Sequence, residues 1–131
     1  VGCVCVSVAT DDGERVKLGH FGDARYYLHY VRCGSEGWRL ERRVENPYAS
    51  RGHGSEEHGE HGGKGHGGKR AKILELNRGC NAIVATALGP GGREFMEKHG
   101  LRVIIVRPYT SIEEALRRAE EELGLARAAR G

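Results

Sequence analysis

No run of apolar residues in this 131-residue chain is long enough to span a bilayer, which removes a transmembrane helix from consideration. Val1 opens a strand-like segment without the charged leader and cleavage site of a signal peptide, so a soluble, cytoplasmic protein is expected. A surplus of one charge is also missing. The formal charge is +3 with neutral histidines, and basic residues come as separated pairs, Arg42 and Arg43, Lys69 and Arg70, Arg117 and Arg118. Such pairs read as solvated surface, and nucleic acid is not an expected partner. There is no P-loop, Gly-x-Ser-x-Gly or dinucleotide fingerprint, which argues against a nucleotide-dependent enzyme. The cysteine spacing matches neither a zinc ribbon nor a ferredoxin. A 14.4 kDa chain is expected to form a single domain over residues 1–131 that buries about two-thirds of its unfolded surface, without needing a disulfide framework or structural metal.

What the chain does have is a glycine-rich tract, Gly52–Gly68, that carries His53, His58, His61 and His66 among Glu56, Glu57 and Glu60. Such a segment has no apolar side chains for a core. It offers imidazole nitrogens and carboxylate oxygens on a backbone able to wrap an ion, so its composition reads as metal-binding. The competing reading is a solvated loop with incidental metal affinity. Ordering each backbone costs about 1–2 kcal/mol, and a structural zinc ion supplies about 10–16 kcal/mol. A bound ion would therefore order a few ligands, and residues 49–68 are expected to form a flexible loop within the domain.

Around this tract the pattern alternates between strands and helices. Val1–Ala9 is small and apolar on both faces, as a central strand requires. Arg25–Cys33 and Trp38–Glu45 form a hairpin through Gly34-Ser35-Glu36-Gly37. In the second run Trp38, Leu40, Arg42 and Val44 should share one face, marking a solvent-touching edge strand. Lys69–Arg78 and Gly91–His99 read as helices ended by Gly79 and Gly100, and Ala82–Ala87 and Leu101–Val106 as buried strands. Ser111-Ile112-Glu113-Glu114 is a capping box opening a last helix whose inward face is Ile112, Ala115, Leu116, Ala119 and Leu123. Right-handed crossovers then give an α/β fold with a five-stranded mixed sheet in the order 3-2-1-4-5, strand 2 antiparallel.

Several local motifs carry a resemblance: Val8-Ala9-Thr10-Asp11-Asp12-Gly13, His20-Phe21-Gly22, Val44-Glu45-Asn46-Pro47 before the His/Gly tract, and Ala85-Thr86-Ala87-Leu88-Gly89-Pro90. Taken in this order, over about residues 2–123, the chain resembles the dinitrogenase iron-molybdenum cofactor biosynthesis family. The resemblance implies a ribonuclease-H-like three-layer fold. It also implies binding or carriage of an iron-sulfur or molybdenum-containing cluster, exchanged with a cluster-donor or acceptor protein. His20 is the family-matched candidate ligand. Asp23 stands where the family often has a basic residue, which predicts weaker attraction for an anion at that turn.

Topology points to the same place. His20 precedes an antiparallel strand and should lie at the sheet edge reached by the carboxyl ends of strands 1 and 4, where open α/β sheets bind ligands. Candidate cofactor-binding residues are therefore His20, Phe21, Gly22, Asp11, Gly89, Gly91 and Arg93, with the glycines exposing backbone N–H groups to an anion at a helix start. Candidate metal ligands are His20, His53, His58, His61 and His66. Cys3, Cys33 and Cys80 should gather at the opposite edge as small core residues, a Cys3–Cys33 disulfide or a soft metal site. Strands 1 and 4 lack the carboxylates of a two-metal nuclease. The expectation is a non-enzymatic metal or metal-cluster binder, and the alternative is a small interaction or regulatory domain with an incidental loop.

Overall fold

The computed structural model describes residues 2–49 and 62–126, with the backbone alone for 62–67. Its strands are β1 (Cys3–Thr10), β2 (Tyr26–Cys33), β3 (Arg39–Glu45), β4 (Ala82–Ala85) and β5 (Arg102–Ile105). Its helices are α1 (Gly62–Leu76), α2 (Pro90–Lys98) and α3 (Ile112–Glu122), and a 3-10 turn covers Phe21–Asp23. The sheet runs β3-β2-β1-β4-β5, as expected. β1 pairs antiparallel with β2 and parallel with β4, which pairs parallel with β5. No helix among the described residues is long and apolar enough to cross a membrane.

Alternation along β1 sends side chains into two separate cores. Val6 and Val8 join Leu28, Val84, Ile104 and the α3 residues Ile112, Ala115, Leu116 and Ala119 on one face. Ala9 joins Phe21, Tyr27, Ile83, Ile73 of α1 and Met96 of α2 on the other. α3 thus covers one face and α1 with α2 the other. Ser111 caps α3 by accepting the Glu114 N–H at 3.1 Å, which satisfies one of the orphan donors of the first turn.

Two local expectations change. α1 begins at Gly62, ahead of the expected Lys69, and ends at Leu76. In β3 the register against β2 shifts between His29 and Tyr30, so that His29 faces Arg42 while Tyr30 faces Leu40. Glu41 is the extra residue of a β-bulge, and a bulge reverses the alternation. Trp38 therefore packs with the α3-side core, whereas Val44 packs with the other. The expected common face for Trp38, Leu40, Arg42 and Val44 is corrected accordingly.

The end of β2 near α3 is held by a buried ion pair, Arg32 Nη1 to Glu120 Oε2 at 3.4 Å, with side-chain exposures of 3% and 6%. Trp38 Nε1 donates to the same carboxylate at 2.8 Å. Arg32 also donates to the carbonyls of Gly34 and Ala126. A buried pair with most of its other donors on carbonyls positions its elements even where its net stabilisation is small.

Candidate functional site

The segment carrying His20 is fixed by residues from all four motifs. Thr86, at the end of β4, accepts the Gly19 N–H at 2.9 Å and donates to the Lys17 carbonyl at 2.8 Å. His20 bridges Ala87 in parallel fashion, and the Phe21 N–H reaches the Ala87 carbonyl at 3.1 Å. From the other side, buried Asn46 donates to the carbonyls of Gly22 at 3.0 Å and Ala24 at 2.8 Å. The Tyr27 hydroxyl donates to the Phe21 carbonyl at 2.7 Å. Desolvation, with smaller contributions from Asp23 and Asp11, pushes that hydroxyl far above its usual range. Asp11 accepts the Arg25 N–H at 2.9 Å and pairs with Lys17 at 3.0 Å, which closes the exit of the same turn.

These ties leave the His20 imidazole exposed and without a hydrogen-bond partner among the described residues. It stands on a cavity of about 380 Å³ lined by the 3-10 turn, by Lys69, Arg70 and Ile73 of α1, and by the start of α2. Of the expected residues, His20, Phe21, Gly22 and Gly89 line it together. Asp11 does not: it lines a separate hollow with Arg15, Lys17 and Tyr109. Arg93 is outside as well, paired with Glu97 at 3.2 Å on α2. Gly91 lies under the Arg70 guanidinium, where a Cβ would come within 2.6 Å of a guanidinium nitrogen. His53, His58 and His61 lie outside the described residues, and His66 falls in the part of α1 described by its backbone alone.

Lys69 and Arg70, which the sequence suggests are solvated surface, are cavity residues instead. Lys69 Nζ meets Asp23 Oδ1 at 2.9 Å, and its aliphatic stem lies over Gly22. The acidic residue at this turn is thereby neutralised. Arg70 has no carboxylate partner among the described residues and faces the first turn of α2, where Gly89 supplies no side-chain cap and Pro90 leads into Gly91 and Gly92. A guanidinium beside the positive end of a helix is an arrangement that an anion between them would relieve.

A second group lies at the opposite edge of the sheet. The register of β1 against β4 brings Cys5 beside the Asn81 segment, with the Cys5 N–H on Asn81 Oδ1 at 2.8 Å. Disulfides join Cys5 to Cys80 and Cys3 to Cys33. One ligand atom from each of Cys5, His29 and Cys80 falls within 4.8 Å of the others, close enough for a shared metal ion when the two sulfurs are not joined. Sequence reasoning missed His29 and the Cys5–Cys80 pairing. The alternation of β2, which puts His29 with Tyr27 on the α1 side, was the available signal.

The family model for dinitrogenase iron-molybdenum cofactor proteins matches residues 2–122. The chain belongs to that family. Among solved structures, the crystal structure of PH0822 superposes with a TM-score of 0.59 at 18% identity, covering 93% of this chain and 91% of that one. The NMR structure of a Thermotoga protein, TM1290, described as a candidate NifB protein of the DUF35 family, gives a TM-score of 0.56 at 20% identity, with 90% and 88% covered. At these identities the likeness is one of fold. No curated protein matches the chain. Family membership ties the chain to a metal-cluster-related role.

Proposed function

We propose that this chain is a non-enzymatic carrier of an anionic metal-sulfur cluster, iron-sulfur or molybdenum-containing, with the cluster as its cargo. The observation that carries the reading is the convergence of four separated motifs on one turn, which presents an imidazole unpartnered among the described residues at the mouth of a cavity whose charged lining is net positive. His20 is the ligand, since neutral imidazole is a borderline donor suited to iron. Arg70 and the first N–H groups of α2 supply counter-charge, while Lys69 balances Asp23. The histidines His53, His58, His61 and His66 serve capture or shielding of the same cargo. A cluster-donor or acceptor protein is the partner that a carrier requires, and the cytoplasm is the compartment. The two-sided helical cover of the sheet is in keeping with a ribonuclease-H-like three-layer fold.

Anaerobic loading with an iron-sulfur cluster, followed by desalting, iron analysis and visible spectroscopy, tests this reading. His20→Ala should reduce retained cluster by more than about tenfold, on the scale of losing a ligand or its support. Its unfolding midpoint should barely move, because the ring is exposed. Equal retention by wild type and variant would refute the assignment of His20. Retention lost together with a large drop in midpoint would make His20 structural.

A further inference from the structure

The buried polar cluster behind β1 and β2 plays no part in holding the His20 turn. Its centre is Asn77, 1% exposed at the end of α1. Asn77 Nδ2 donates to the Ile73 carbonyl at 2.9 Å, which fixes the amide orientation and leaves Oδ1 as an acceptor. That oxygen receives the Ser7 hydroxyl and lies 3.1 Å from His29 Nε2. The His29 proton therefore sits on Nε2, and Nδ1 keeps its lone pair. Burial holds the ring neutral by lowering its pKa, with Arg42 adding to the effect and the Asn77 hydrogen bond opposing it. A neutral imidazole whose other nitrogen donates to a fixed oxygen is the state that metal-binding histidines adopt.

We propose that Cys5, His29 and Cys80 form a redox-gated site for a zinc-class divalent ion, closed as the Cys5–Cys80 disulfide and open when that bond is reduced. The two sulfurs and a ring nitrogen of His29 already lie within 4.8 Å of one another. Tetrahedral coordination with the usual zinc bond lengths separates ligands by about 3.3–3.8 Å, so rotamer adjustments suffice. Two sulfurs and one nitrogen suit a borderline-soft ion, with solvent taking the fourth position. Opening is thiol–disulfide exchange. A dithiol gives up two electrons and two protons and becomes its own disulfide, while Cys5 and Cys80 become thiols. Binding then releases two protons, one from each thiol, and leaves the oxidation state of the ion unchanged. Cys5 is only partly buried, so a reductant can approach its sulfur. Among the described residues, no other histidine and cysteine ligands converge in this way.

The test uses Co2+ as the spectroscopic probe on full-length protein in which His53, His58, His61 and His66 are replaced by alanine, which removes competition from the loop. After anaerobic reduction with a water-soluble phosphine, one equivalent of Co2+ should produce thiolate-to-cobalt charge-transfer absorption together with tetrahedral ligand-field bands. The oxidised protein should produce neither. Cys5→Ser and Cys80→Ser should each weaken binding by more than about tenfold, and His20→Ala should leave it unchanged. In otherwise wild-type reduced protein, Zn2+ should slow iodoacetamide alkylation of Cys5 and Cys80 and leave Cys3 and Cys33 unaffected, read by peptide mass spectrometry. Absence of the charge-transfer band in reduced protein would overturn the proposal, as would Co2+ binding unaffected by Cys5→Ser or equal protection of all four cysteines. Sensitivity to His20→Ala would move the site to the opposite edge.

Discussion

The two edges of one sheet offer opposite kinds of chemistry. At the carboxyl edge an exposed imidazole stands over a cavity lined by Arg70, by the Lys69–Asp23 pair and by no cysteine. At the amino edge two cysteines meet a histidine buried to 4% exposure, backed by Asn77 and Ser7. The first arrangement can exchange a bulky anion with solvent or with another protein. The second can hold only a single small ion. Openness and donor softness are thus set independently, because side-chain alternation and strand direction deliver different residues to the two ends of β1.

The largest perturbation that separates the edges is Glu120→Ala. It leaves the Arg32 guanidinium buried without its carboxylate, at a cost of about 3–5 kcal/mol. Urea unfolding should report that loss, while cluster retention at His20, measured under native conditions, should stay near wild type. If retention falls as steeply as stability, the edges are not independent.

Asn46→Ala should act at the other end. It removes the donor to the Gly22 and Ala24 carbonyls, and each buried group left without a partner costs about 1–3 kcal/mol. Because the same carbonyls fix the His20 turn, the variant should lose cluster retention as well as stability, with Co2+ binding by Cys5, His29 and Cys80 in the reduced protein preserved. Full retention at lower stability would mean that the turn needs no anchoring to bind.

Acid is the mildest probe and reports on the amino edge. His29 has a folded pKa lowered chiefly by burial, so its stabilising contribution is complete above the unfolded value of about 6.5 and is lost as pH falls from there through the lowered folded value. The groups facing the ring are Asn77 and Arg42, with Cys5 and Cys80 beside it. Wild-type stability should decline below about pH 6.5 more steeply than that of His29→Gln, measured by denaturant midpoints across the range. Identical slopes would assign acid sensitivity to other groups.

The strand order could be read in advance because crossover handedness and the hairpin after Cys33 leave few topologies. The capped α3 was equally plain, since Ser111 and the apolar spacing agree. Other features lacked a local signal. Glycines in Gly62–Gly68 hid the early start of α1, their low helix propensity being outweighed in the folded chain. Nothing about Glu41 marks it as a bulge. Lys69 and Arg70 looked like surface because their significance comes from partners far away in sequence, Asp23 for Lys69 and the Gly91 backbone that admits Arg70. His29 sits in an apolar strand, and only the β1 register shows that it shares a neighbourhood with Cys5 and Cys80. His20 was singled out because its motif and its topological position coincide.

The bulge at Glu41 also bears on how this molecule behaves in a crowded solution. β3 is an edge strand whose exposed residues include Arg39, Glu41, Arg42, Arg43 and Glu45, and its ladder is interrupted halfway along. The opposite edge, β5, is four residues long. A foreign strand meets charge and broken register on one side and too few free backbone groups on the other, so neither edge is a good template for intermolecular β-pairing. The fold can therefore keep polar, reactive groups near both ends of its central strand without inviting aggregation through its sides.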